Sequence, residues 1–198
     1  MTRAAAPARG CPPDKVPRME RHAAFLRGMN VGGHRLRNDE LRSHFEGLGF
    51  LEVATFRASG NVTFAAEREP PQAIGARIEA GLATALGYAV PTFLRTAAEV
   101  HAIAALRPFE AERLRRSTGK LQVALLAAAP SAPVRAQVLA LAGDQDALAL
   151  RGRELYWLPS GGILDSTLEL KAIERLLGPM TLRTKNTIEQ IAAKHLGG

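Results

Sequence analysis

Three short stretches carry residue types that could hold a charged ligand. The first, Phe25 to Asp39, reads FLRGMNVGGHRLRND. Its glycines, among them Gly32 and Gly33, allow positive φ and close backbone approach. They lie between a strand-like run and a helix start, where backbone N–H groups attract anions. Arg27, His34, Arg35 and Arg37 add positive charge with no acid before Asp39, and Asn30 can both donate and accept. The chemistry indicated is binding of a phosphate or carboxylate. The stretch lacks the Gly-Lys-Ser/Thr of a P-loop and the Gly-x-Gly-x-x-Gly of a dinucleotide fold. The second stretch, RASGN, sets Ser59 and Asn61 around Gly60. The third, LRTKNT, puts Arg183 at a strand end and Lys185-Asn186 at the start of a helix. Each also has a plainer reading: a Gly-Gly turn with solvated arginines, a tight hairpin turn, and a helix cap formed by Thr184 or Thr187. The sequence leaves both readings open at all three.

The elements that position these residues are short and well punctuated. HAAFLRG (22–28) reads as a strand. NDELRSHFEGLGF reads as a helix capped by Asn38, with Leu41, Phe45 and Leu48 on one face. EVATFRASGNVTFAA alternates on both sides of its turn, as a hairpin does. A helix entered through proline follows, with Ile74, Ile78, Leu82 and Ala85 inward. Then come a strand, YAVPTFLR, and a helix opening with a Thr96–Glu99 capping box. The second half runs in the same order: strand GKLQVALLAA, a helix presenting Val134, Val138 and Leu141, a hairpin turning near Gly152, a helix with a Ser166–Glu169 box, strand PMTLR and a last helix. TFLRTAAEVHAIAA (92–105) also lies over MTLRTKNTIEQIAA (180–193) at a constant offset of 88.

Both halves therefore read β-α-β-β-α-β-α. The expected fold is α+β: two tandem ferredoxin-like (α/β-plait) halves, each followed by an extra helix at their junction. The expected divisions are a disordered basic tail over 1–20, an N-terminal half over 21–106, a charged linker over 107–119 and a C-terminal half over 120–198. The tail contributes much of the net charge of +7, so the folded part is only mildly basic. One cysteine, Cys11, excludes an internal disulfide and fits a cytoplasmic setting. No histidine spacing suits a metal, and neither a metal nor a cofactor is expected. The longest apolar run is too short to span a membrane, so no membrane partner is expected; the oligomeric state stays open.

LRGMNVGG, SGNVTF and GPMTLRTKNTIEQIAAKH together resemble the bacterial DUF1697 family, whose function is unknown. The matching residues are Leu26 to Gly33, Ser59 to Val62 and Arg183 to Thr187, within a resemblance spanning about residues 22–196. The resemblance implies tandem plait halves and no established activity. The function read from the residues is binding of a small anionic ligand near the junction of the halves. Arg27, Asn30, Gly32, Gly33, Ser59, Asn61, Arg183 and Asn186 are the candidate contacts. Two alternatives remain: a nucleic-acid binder stacking bases on Phe64, Tyr156 and Trp157, or an enzyme acting on a phosphorylated metabolite. No catalytic constellation stands out, and an interaction scaffold without a ligand site is the bland alternative.

Overall fold

The computed structural model describes residues 18–29, 36–58 and 60–197. The tail expected over 1–20 falls mostly outside them. Strand β1 (Met19–Leu26) begins three residues earlier than its apolar run suggests, because Met19, Glu20 and Arg21 pair with Glu67, Ala66 and Ala65. Next come α1 (Asn38–Gly47), β2 (Leu51–Thr55), β3 (Asn61–Glu67), α2 (Pro71–Leu86), β4 (Thr92–Thr96) and α3 (Ala97–Ala105). The charged connection holds a short helix, α4 (Ala111–Arg116). The second half has β5 (Gln122–Leu126), α5 (Ala132–Leu139), β6 (Asp146–Arg151), β7 (Glu154–Pro159), α6 (Leu170–Leu177), β8 (Met180–Thr184) and α7 (Lys185–His195).

Two four-stranded antiparallel sheets result, ordered β2-β3-β1-β4 and β6-β7-β5-β8. The halves correspond in register as well as order: His22 faces Thr96 and Gln122 faces Thr184. Strand alternation divides the buried residues among three cores. Ala24 and Leu26 of β1 face α1 and α2, where Leu41, Phe45, Ile74, Ile78 and Leu82 close the first core. Ala124 and Leu126 face α5 and α6 in the same way. The alternate residues, Ala23, Phe25, Val123 and Leu125, point to a shared core between the halves, completed by Val100 and Ile103 of α3 and Ile188 and Ile191 of α7. That core makes the two halves one body. Among the described residues no helix is long and apolar enough to cross a membrane.

Several local expectations shift. Arg37, not Asn38, is the N-cap of α1; its backbone N–H donates to Glu40 Oε2 at 2.9 Å. Ala85 is exposed and Leu86 packs inward instead. Leu141 lies beyond α5 and is exposed, while Leu139 takes its place. The Ser166–Glu169 box does not form. The Ser166 hydroxyl donates to buried Asp146 at 2.7 Å, which also takes the Trp157 indole N–H at 2.6 Å, and α6 starts only at Leu170. The Thr96–Glu99 box forms as expected.

His22 stacks on Phe64 with 5.6 Å between ring centres, and both its ring nitrogens are buried without a hydrogen-bond partner among the described residues. Burial lowers its pKa below the ordinary 6.5, against the raising influence of Glu20, Glu99 and Glu69. Between that lowered folded value and 6.5 the unfolded chain binds the extra proton, so stability falls as pH falls through the window. Urea unfolding at about pH 7.5 and about pH 5.5 should show this loss, at most about 1.4 kcal/mol per pH unit from one group. His22→Leu should flatten the profile; an unchanged slope would exclude His22 as its source.

Candidate functional site

Arg183 and Arg95 occupy corresponding positions on β8 and β4, and each crosses to the opposite half. Arg183 Nη2 donates to Leu26 O at the end of β1 (2.9 Å) and to Gly60 O in the β2–β3 turn (3.4 Å). Its Nη1 donates to Leu182 O (2.7 Å) and Thr181 Oγ1 (2.8 Å), and its Nε to Asn61 Oδ1. Arg95 repeats the pattern. Nη2 donates to Leu126 O (2.8 Å) and Arg153 O (3.2 Å), Nη1 to Leu94 O (2.8 Å), and Nε to Glu154 Oε1 (2.8 Å). The guanidinium fork suits such multiple acceptance. Burial draws the Arg183 pKa down to about 10, and burial also lowers that of Arg95 against the pull of Glu154. At that value Arg183 remains a cation at neutral pH.

The three sequence motifs thus meet, though largely to join the halves. Leu26, Gly60, Asn61 and Arg183 form one hydrogen-bonded knot, tightened by Leu26 N–H to Gly60 O at 2.7 Å. Gly60 holds φ +69°, and a Cβ there would press on Leu26, so glycine is required. Asn61 is buried and its amide also donates to Phe56 O. Arg27 is half-buried and pairs with Glu174 of α6, across the junction. Asn30, Gly32, Gly33 and Ser59 lie outside the described residues. Asn186 stands apart from this knot, exposed at the start of α7.

A cleft of about 380 Å³ opens at that end of α7. It is lined by Arg57 from the β2–β3 turn, Lys120 and Leu121 ahead of β5, and Lys185, Asn186 and Thr187 of α7. Arg57 holds the left-handed conformation (φ +57°), uncommon for a bulky residue, and reaches Gln190 Oε1 at 3.3 Å. Lys185 Nζ donates to Ala104 O (2.6 Å) and to Glu189, the single acid of the wall (2.8 Å). Arg57 and Lys120 stand in no ion pair among the described residues. A larger hollow of about 490 Å³ beside α4 mixes Arg113 and Arg116 with Glu110, Glu112 and Asp144, so its charges offset one another.

Sequence reading missed Arg57, Lys120 and Leu121. Lys120 corresponds to Glu20, because β5 lies over β1 at an offset of 100 rather than 88; the difference hid the pairing. Phe64, Tyr156 and Trp157, considered for base stacking, are all buried in cores and present no ring to a nucleobase. Among the described residues no group of three His, Cys, Asp or Glu is placed to hold a metal ion.

Residues 19–156 match the family model described as protein of unknown function (DUF1697). Among solved structures, the conserved bacterial protein SP0830 of Streptococcus pneumoniae is similar, with a TM-score of 0.66 and 21% identity over 90% of this chain and 99% of that one. That likeness establishes the fold alone. No curated protein matches the sequence.

The clamps make a ranked stability prediction. Arg95→Met leaves the carboxylate of Glu154 facing the junction without its cation, and should lose about 3 kcal/mol or more. Arg183→Met leaves only neutral acceptors and should lose about 2 kcal/mol. Denaturant unfolding of both variants checks the order; equal losses would deny the charge difference any role.

Proposed function

The chain belongs to the DUF1697 family of proteins of unknown function, and for this member we propose binding of a small anionic molecule, carrying a phosphate or carboxylate, in the cleft at the start of α7. We take the halves as tandem plaits of the ferredoxin-like type, a reading the strand order supports. The observation that carries the function is a reversal of charge between corresponding positions. The first half has Glu20, Ala97, Ala98 and Glu99; the second has Lys120, Lys185, Asn186 and Thr187. Charge reverses outright at Glu20, which becomes Lys120; Glu99 gives way to neutral Thr187, and Lys185 in place of Ala97 is paired with Glu189, which stands where the first half has His101. Packing does not require the change from Glu20 to Lys120, since Lys120 is exposed and Glu20 is partly so, whereas Lys185 is buried and bonds Ala104 O. Arg57 adds a third cation from a strained turn, a feature that gathers at functional sites.

Within this reading Asn186 keeps the contact role expected from its sequence, and Arg57 and Lys120 join it; Lys185, buried and held by Ala104 O and Glu189, positions the start of α7. Ser59, Asn30, Gly32 and Gly33 remain proposed contacts. Arg27, Asn61 and Arg183 are better assigned to positioning: Arg27 is paired with Glu174, and every N–H of the Arg183 fork has an acceptor in the protein. Turnover of the bound anion would make the protein an enzyme at this same site. A cytoplasmic setting is proposed with it, on the single cysteine.

A thermal-shift screen of phosphate- and carboxylate-bearing metabolites tests the reading. Compounds that raise the melting temperature should bind at least about tenfold more weakly to Arg57→Ala and to Lys120→Glu, as loss or reversal of a site charge implies. Hits that bind both variants as well as the native chain would place the site elsewhere and sink the proposal.

A further inference from the structure

We propose, resting on the anion-site reading above, that the ligand enters the α7 cleft through a carboxylate, which takes the place that the Glu99 side chain holds in the first half. In that half the start of α3 is occupied from within. Glu99 Oε2 accepts the Thr96 backbone N–H at 2.9 Å and the Thr96 hydroxyl at 3.3 Å, while Oε1 takes a hydrogen bond from Arg153. Burial pushes this carboxyl up, but the Thr96 hydrogen bond and the adjacent Arg153 outweigh it and hold its pKa below the ordinary value. It is therefore a carboxylate, bound by a helix start and by an arginine from the opposite half's hairpin turn.

The second half keeps the threonine cap of this cradle and lacks its glutamate, while the Lys185 N–H is taken by Leu121 O at 2.8 Å. Thr184 caps α7 as Thr96 caps α3: the Thr187 N–H meets Thr184 Oγ1 at 3.2 Å, as the Glu99 N–H meets Thr96 Oγ1 at 3.2 Å. At the position of Glu99 stands Thr187, neutral and shorter, its hydroxyl turned onto Thr184 Oγ1 at 2.8 Å. Gly60 stands at the position of Arg153, and Arg57, three residues earlier in the same turn, reaches Gln190 in the second turn of α7. The open space is the cleft, with the Lys120 ammonium at its rim and Leu121 as an apolar wall. A planar, singly charged group suits a place shaped for a glutamate side chain. Leu121 gives the carbon chain of a short carboxylic acid a surface to lie against.

The test is a titration of the full-length protein with succinate and, separately, with inorganic phosphate, followed by backbone amide NMR and by melting temperature. Succinate should shift the Thr184, Lys185 and Asn186 signals of the native chain. Thr187→Glu should weaken succinate binding at least about tenfold by supplying the carboxylate internally, with a melting temperature equal or higher because the capping box is completed. Response to phosphate alone would overturn the carboxylate assignment while leaving the anion site standing. Response to neither would overturn both. Undiminished succinate binding by Thr187→Glu would overturn the placement. Should that variant melt lower than the native chain, Lys120→Glu at its exposed position gives the same readout: weakened succinate binding supports the assignment and unchanged binding overturns it.

Discussion

The crossing of two arginines between the halves, Arg95 buried and Arg183 partly so, is the constraint on which the rest of the molecule depends. Each half alone would expose one sheet face carrying Phe25 and Phe93, or Leu125 and Tyr156, to water. Joining the faces buries that surface, but it also buries the carbonyls at the ends of β1 and β5 and in the turn of each hairpin. Such acceptors are expensive to bury without donors. Arg183 and Arg95 serve them reciprocally: each gives the strand-end carbonyl of the other half a donor and adds a second donor to the turn carbonyl, which already accepts the Leu26 or Leu126 N–H. The guanidinium is the one side chain with enough donors in a fixed plane to do this, and lysine would leave part of the set unmet.

This interlock gives a physical meaning to residues that look functional in the sequence. Leu26, Gly60, Asn61 and Arg183 come from three separate motifs and meet in one hydrogen-bonded knot. The resemblance in those motifs therefore reflects, in good part, how the halves are fastened. With the backbone held in near-equivalent positions at both ends of the junction, side chains there can diverge freely. The α3 end is filled by its own glutamate, and the α7 end carries Arg57 and Lys120 beside the Lys185–Glu189 pair.

The order of elements was legible because periodicity, prolines and turn residues all pointed the same way; the two hairpins and the Thr96–Glu99 box are where the sequence puts them. The Ser166 box failed because Asp146, twenty residues earlier, offers that hydroxyl a buried acceptor, and a local pattern carries no sign of it. The role of Arg183 was hidden for a similar reason. A basic residue at a strand end looks like a ligand contact until the carbonyls it serves, over a hundred residues away, are brought beside it. Arg57 and Lys120 were missed because neither belongs to a motif. Only pairing β1 with β5 reveals that Lys120 replaces Glu20.

The central claim is that the α7 end of the junction is an anion site and the α3 end is not. Crystals grown without small carboxylates and soaked with one would test it directly. The expected result is ordered density for the acid between Arg57, Lys120 and the start of α7, with the α3 end still occupied by Glu99. Density bound only elsewhere, or an empty α7 cleft at saturating ligand, would contradict it.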